Sequence, residues 1–312
     1  MAVLSIRRRH CRFLLNQSFS QMRLLMESYT ALGRTDLQVS RLGFGAARIG
    51  EGTPLEEVEI LLNTLLDLGI TFIDTADCYV QSEELIGRFL GRRLRECVLA
   101  TKCGCLTDGA EGVAYSRPII AASIERSLQR LGVDQLDLVF LHTCSAAVLR
   151  AGEAVEALEE ARAAGKVRYT GYSGDGEDAM EAISMGVFDA LQVTFNLVSQ
   201  GALVDVLPAA KRAGMGVVVK RPIANAQLID SKSAHFRDGA YWDPVRSLLT
   251  EEGLLDDPLE LSLRFTLSHE VVDSAIVGTS TAAHARDNAG RARAGELPAQ
   301  VMGALHQLGR DT

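Results

Sequence analysis

Four side chains, Asp74, Tyr79, Lys102 and His142, could together deliver a proton to a reduced carbonyl group. Asp74 closes the apolar run TFID, Tyr79 stands five residues further on, Lys102 closes VLATK and His142 closes LDLVFLH. A hydride arriving at a carbonyl carbon leaves an alkoxide, which needs a proton at neutral pH. A tyrosine with its ordinary pKa of about 10 holds that proton but yields it reluctantly, and a neighbouring ammonium stabilises the phenolate and lowers the pKa. Lys102 can supply the ammonium. A buried lysine sheds its charge unless a carboxylate accompanies it, which gives Asp74 a use. His142 can hydrogen-bond the carbonyl oxygen and orient it. Singly, each residue has a plainer reading as a helix cap, rim packing, a snorkelling amine or a satisfied core histidine. The chemistry requires a fold that brings three distant chain segments to one place.

The rest of the sequence supplies such a fold. From Leu42 onward, short apolar runs alternate with stretches of helical period: LGFGA before PLEEVEILLNTLLDLG, TFIDTA before SEELIGRFLGRRL, VLATKCG before RPIIAASIERSLQRLG, and LDLVFLH before EAVEALEEARAAG. Four more units follow, VRYTGYSG with DAMEAISMG, ALQVTFN with ALVDVLPAAKRAG, GVVVKRP with DPLELSLRFTLS, and SAIVG with TAAHARDNA. In the first helix Leu55, Val58, Leu61, Leu62, Leu65 and Leu66 repeat on one face. Near-continuous apolar strands are what a parallel sheet covered on both faces requires. Eight strand–helix units predict a (β/α)8 TIM barrel, whose active site lies at the carboxyl ends of the strands. An open doubly wound sheet is the alternative, but the first strand turn reads GFGAARIG, without a GxGxxG phosphate loop. Two strand-like runs around Gly33–Asp36 predict an N-terminal β-hairpin that closes the bottom of the barrel.

Composition narrows the partners. The 312 residues carry a net charge of -8, which argues against a nucleic-acid partner, since a phosphate backbone calls for a concentrated positive surface. No apolar segment is long enough to span a bilayer, so no membrane insertion is expected. Six cysteines without CxxC pairing point to a reducing, cytoplasmic setting. Residues 1–28 are basic and broken in pattern, and are expected to be a disordered extension, or an over-long start ahead of Met22 or Met26. Residues 29–312 are expected to form one barrel domain.

FIDTADCYVQSEELIG, LATKCG, LVFLH and IVGTSTAAHARDN resemble the aldo-keto reductases, from about Leu32 to Asn288. The resemblance implies the barrel just described, NAD(P)(H) bound without a Rossmann fold, and a catalytic tetrad of Asp74, Tyr79, Lys102 and His142. It further implies that Ser173 and Gln192 hold the nicotinamide carboxamide. The asparagine that commonly follows the serine is here Gly174. Lys220, where many members have a stacking tyrosine, and Arg221 beside it would cover the ring or reach the pyrophosphate. Thr279, Ser280 and Asn288 would contact phosphate and adenine. Gly278 and His284 stand where NADPH-selective members carry lysine and arginine, so the cofactor expected is NADP(H), with NAD(H) tolerated.

The substrate end is thinner. Ala47 and Arg48 follow the first strand, and a long insertion between Pro222 and Pro258 carries Phe236, Tyr241 and the single tryptophan, Trp242, as candidate pocket walls. One helix-like segment, PAQVMGALHQLG, follows Asn288, and an open pocket is expected. Cys78, Cys103, Cys105 and Cys144 fall near the mouth, but their spacing is irregular and the proposed chemistry uses no metal, so none is assigned. Thiols near Lys102 would gain thiolate character and make the site sensitive to oxidation. The reaction expected is NAD(P)H-dependent reduction of aldehydes or ketones with tyrosine as general acid. The alternatives are an aldose dehydrogenase working oxidatively and a cofactor-sensing regulatory subunit on the same fold. The oligomeric state is left open.

Overall fold

Eight parallel strands close into a barrel in the computed structural model, which describes residues 28–107, 111–226 and 257–310. In chain order the strands are β3 (Leu42–Gly45), β4 (Phe72–Asp74), β5 (Val98–Cys103), β6 (Leu136–His142), β7 (Val167–Ser173), β8 (Ala190–Thr194), β9 (Gly216–Lys220) and β10 (Ser274–Val277). Each pairs with its successor, and β10 closes on β3. The segments between and after them form helices α1 (Leu55–Asp67), α2 (Ser82–Leu90), α3 (Arg117–Leu131), α4 (Ala146–Ala151), α5 (Glu153–Ala163), α6 (Gly176–Met185), α7 (Val206–Arg212), α8 (Pro258–Leu267), α9 (Ala282–Arg293) and α10 (Ala299–Arg310). The short α4, started by the Ser145 side chain accepting from Val148 N, is an addition ahead of the helix expected from Glu153, which α5 forms. On α1 the predicted face is buried except at its first residue, since Leu55 is exposed. The expected extension at residues 1–28 falls, but for Ser28, outside the described residues, as do Phe236, Tyr241 and Trp242.

Two apolar layers explain the strand composition. Outward-facing Ile73, Leu99, Val139, Leu141, Leu191 and Val217 pack with helix residues such as Leu61, Leu65, Ile120 and Leu158 in the larger core. Inward-facing Phe72, Ala100, Leu138, Phe140, Ala190 and Val218 fill the barrel itself. Each fully buried valine, leucine, isoleucine or phenylalanine among them contributes about 1.5–3 kcal/mol. The inner layer is capped from below by the hairpin β1 (Tyr29–Ala31) and β2 (Gln38–Ser40), whose Leu32, Leu37 and Val39 join the same cluster. Gly33 at its turn has a φ of 53° and lies so close to the start of β9 that a Cβ would sit 2.2 Å from Gly216 N, which only glycine tolerates.

Strand parity then sets what points into the mouth. Side chains alternate faces along a strand, so the residue two past an inward one is inward too. Phe72 is followed in this way by Asp74, Ala100 by Lys102, Phe140 by His142, Ala190 by Gln192 and Val218 by Lys220. Sheet register adds a row across three neighbouring strands, His142 opposite Ser173 and Ser173 opposite Gln192.

Candidate active site

Lys102 is the centre of the mouth. Its ammonium, only 2% exposed, donates to Asp74 Oδ2 at 2.6 Å, to the Thr75 carbonyl at 2.8 Å and to the Tyr79 hydroxyl at 3.4 Å. Three donors meet three acceptors. Burial alone would lower the pKa of this lysine, but the attraction of Asp74, with smaller help from Tyr79, more than reverses that and leaves it above the ordinary lysine value. Because the Tyr79 oxygen accepts from the ammonium, its own O–H is directed elsewhere. The tyrosine differs from expectation in one respect. Its pKa is raised: burial is the largest cause, and the opposing pull of Lys102 offsets it only in part. The phenol is therefore held as a proton donor through the neutral range.

The loop carrying Tyr79 is tied down by groups that the motif reading passed over. Thr75 N donates to Ala100 O at 2.9 Å and Asp77 N to Lys102 O at 3.2 Å, so the chain after β4 runs on along β5. The buried Asp77 carboxylate then receives Ser123 Oγ at 2.7 Å, Arg126 Nε at 3.0 Å and Arg130 Nη1 at 3.0 Å. These three partners lie at helical spacing on one face of α3. Beside them Glu83, fully buried, accepts from Thr101 Oγ1 at 2.7 Å and has its pKa raised, chiefly by burial. The helical spacing of Ser123, Arg126 and Arg130 was the available signal; their partner, a second aspartate three residues from Asp74, was not marked by any pattern.

His142 stands edge-on to the Tyr79 ring, with centroids 5.9 Å apart. Its Nδ1 faces two sulfurs, Cys78 Sγ at 3.4 Å and Cys105 Sγ at 3.3 Å. Cys105 is pushed down to about 4, first by its hydrogen bond with Cys78 and then by His142, whereas Cys78 moves up because the two sulfurs share one proton. The thiolate character thus arises from the sulfur pair and the imidazole, not from Lys102 as the sequence suggested. Cys103 and Cys144 are buried in the apolar core, where desolvation raises both.

Ser173 and Gln192 lie beside Asp74. Ser173 Oγ donates to Gln192 Oε1 at 2.9 Å, and Gln192 Nε2 donates across the barrel to Asp74 Oδ1 at 2.8 Å, so both carboxylate oxygens are engaged. At Gly174 a Cβ would come within 2.4 Å of the Tyr172 hydroxyl, which itself donates to Cys144 O at 2.6 Å. The Tyr172 ring occupies the room that an asparagine side chain would need. Lys220 is paired with Asp175 at 3.2 Å, and its pKa is lowered, mainly by burial. Exposed Arg221, at a φ of 58°, donates to Thr194 Oγ1 at 3.0 Å. A cavity of about 330 Å³ is lined by Thr194, Asn196, Ser199, Arg221 and Asn225. At the end of β10, Gly278 lies so near Gly45 O that a Cβ would sit 3.2 Å away. Thr279 Oγ1 accepts from Thr281 N at 3.2 Å, Thr281 caps α9 by accepting from His284 N, Ser280 and His284 are exposed, and buried Asn288 accepts from Arg291 at 3.0 Å. Ala47 and Arg48 are both exposed just past β3, Arg48 lying 4.0 Å from Glu51.

Barrel and mouth together define an oxidoreductase on the (β/α)8 scaffold. The chain belongs to the Aldo/keto reductase family, whose sequence model matches residues 41–310. It is 30% identical to the oxidoreductase YqkF of Bacillus subtilis (strain 168) over 88% of this chain and 94% of that protein. It is also 30% identical to D-threo-aldose 1-dehydrogenase of a Pseudomonas species, over 88% of this chain and 95% of the other. Among solved structures, an aldo-keto reductase of Bacillus halodurans in its holo form superposes with a TM-score of 0.78 at 28% identity, covering 90% of this chain and 96% of that one.

Proposed function

We propose that the protein interconverts carbonyl compounds and alcohols, an NAD(P)(H)-dependent oxidoreductase acting on CH–OH or C=O groups, with Tyr79 moving the proton at the substrate oxygen. The observation that carries this reading is the three-way contact of the Lys102 ammonium with Asp74, the Thr75 carbonyl and the Tyr79 hydroxyl. When bound, a nicotinamide cofactor supplies or accepts the hydride. Tyr79 holds its proton until the substrate oxygen becomes basic, and the fixed ammonium then stabilises the phenolate left behind. Asp74 keeps the buried Lys102 charged. With Nδ1 turned toward sulfur, Nε2 is the nitrogen of His142 left to hydrogen-bond and orient the substrate oxygen.

The residues present suit such a cofactor. Ser173 and Gln192 offer buried hydroxyl and amide groups next to the acid, a pairing suited to a carboxamide. The hydroxyls of Thr279 and Ser280 and the amides opening α9 suit phosphate oxygens. Arg221, Lys220 and the cavity beside Arg221, with its Thr194, Asn196 and Ser199 hydrogen-bonding groups, suit a diphosphate. Asn288 is the adenine-side candidate. His284 and Gly278 add no permanent cation for a 2'-phosphate, so NADP(H) is favoured only as far as α9 amides and hydroxyls can hold it, and NAD(H) is accepted as well. Ala47, Arg48 and Trp242 are proposed as substrate-side residues.

Oxidation of an aldose is the second reading, favoured by the similarity to D-threo-aldose 1-dehydrogenase over nearly the whole chain. Both readings use the same proton relay in opposite directions. A turnover screen following nicotinamide absorbance, with aldehydes, dicarbonyls and ketones under NADPH or NADH and aldoses under NADP+ or NAD+, tests them together. Turnover with some member of either panel is expected; none with any of them would overturn the proposal.

A further inference from the structure

We propose that Cys78, Cys105 and His142 form a binding site for one zinc-type divalent cation at the barrel mouth. The donors come from three successive strand ends: Cys78 from the loop after β4, Cys105 two residues beyond β5, and His142 as the last residue of β6. Both sulfurs approach one and the same ring nitrogen, Cys78 Sγ at 3.4 Å and Cys105 Sγ at 3.3 Å from Nδ1, and all three donor atoms lie within 4.8 Å of one another. A tetrahedral ion with Zn–S bonds of about 2.3 Å and a Zn–N bond of about 2.0–2.1 Å spans S···N edges of about 3.5 Å and an S···S edge of about 3.8 Å. The two S···N separations fall within a few tenths of an ångström of that edge. Small side-chain adjustments would therefore admit the ion.

Donor chemistry selects the kind of ion. Two thiol sulfurs and an imidazole favour zinc and its soft or borderline neighbours over magnesium or calcium, which take oxygen donors. All three side chains are partly exposed, which leaves an entry path and a fourth position. The supports around the site are specific. Tyr115 donates to the His142 carbonyl at 2.7 Å, and its own N–H donates to Gly104 O at 2.8 Å. Gly104, at a φ of 103°, lets the Tyr115 ring come so near that a Cβ would meet it at 2.4 Å. This tight turn sets where Cys105 leaves the barrel. Coordination through Nδ1 would keep the remaining ring proton on Nε2, so ion and substrate would act on opposite nitrogens of one imidazole. The site does not depend on the redox reading above.

Cobalt(II) is the probe, titrated under anaerobic conditions into protein kept reduced with a phosphine. Expected are a near-ultraviolet thiolate-to-cobalt band and the strong visible bands of a tetrahedral ion, saturating at one equivalent and abolished by zinc. Cys78→Ser and Cys105→Ser should each weaken binding at least about tenfold, since losing even a supporting group outside the ligand set costs 10–100-fold. His142→Ala should shift the visible bands, and Tyr79→Phe should titrate as the unaltered protein does. Should a serine variant fail to fold, zinc protection of the native protein against alkylation, read cysteine by cysteine by mass spectrometry, decides the matter: Cys105, the reactive sulfur of the pair, should be alkylated without zinc and shielded with it. Weak, pale octahedral cobalt, a thiolate band that survives both serine variants, or full alkylation of Cys105 under zinc would overturn the proposal.

Discussion

Asp74→Asn would leave Lys102 as a buried amine without a counter-ion while preserving the side chain's shape. In the native protein the ammonium sits 2.6 Å from Asp74 Oδ2, and the carboxylate's attraction outweighs burial and holds its pKa above the ordinary value. Lys102 is thus charged in both folded and unfolded chains through neutral pH. Its contribution to stability is full below about pH 10 and is lost only as pH rises through the folded pKa. Removing one partner of a buried pair costs about 3–5 kcal/mol. At roughly 2 °C per kcal/mol for a chain of this size, the unfolding midpoint falls by about 6–10 °C. In the variant burial is opposed only by the smaller help of Tyr79, so the pKa of the amine drops and the unfolded chain binds more protons than the folded one wherever the buried amine gives up its proton. Stability of the variant must then rise with pH, by up to about 1.4 kcal/mol per unit. Urea unfolding followed by circular dichroism at pH 7, 8 and 9, for both proteins at fixed ionic strength, reads this directly. The deficit should narrow from pH 7 to pH 9, by no more than about 2.8 kcal/mol. A deficit that stays constant or widens would refute the claim that Asp74 keeps Lys102 charged.

Three further outcomes are expected. Iodoacetamide should label Cys105 at pH 6, because its thiol is pushed down to about 4, while Cys97 and Cys144, pushed up to about 12, stay unlabelled; peptide mapping that finds Cys105 reactive only above pH 8 contradicts the assignment. Asp77→Asn should lower stability by about 1–3 kcal/mol by depriving Arg126 of its carboxylate partner while Arg130 keeps Glu83 and Glu84, and should cut kcat more than it raises KM by loosening the Tyr79 loop; an unchanged melting curve and rate would remove that positioning role. His284→Arg should raise the NADPH-to-NADH ratio of kcat/KM about tenfold through one new charge-assisted contact, and an unchanged ratio would place the 2'-phosphate elsewhere.

What could be read from the sequence was whatever local periodicity encodes. The apolar runs and helical faces mark all eight strand–helix units, and strand parity carries Asp74, Lys102 and His142 inward from Phe72, Ala100 and Phe140. Contacts made by side chains far apart in the chain left no such trace. Cys78, Cys105 and His142 are separated by 27 and 37 residues, so no ligand spacing announces their meeting at Nδ1. Asp77 gains its arginines only when α3 packs beside the loop after β4. The direction of the Tyr79 shift depends on how deeply the phenol is buried, which pairwise reasoning from Lys102 alone could not weigh. Gly174 likewise becomes intelligible only once the Tyr172 ring is seen in the adjoining space.

Tyr79→Phe is the most direct test of the proton relay, since it removes one hydroxyl and keeps the ring beside Lys102. With the best carbonyl substrate from the turnover screen, kcat should fall by about 10²–10⁴, the usual contribution of a positioned general acid, while cofactor affinity measured by fluorescence titration holds steady. A variant that retains kcat within a few-fold of the native enzyme would contradict the account.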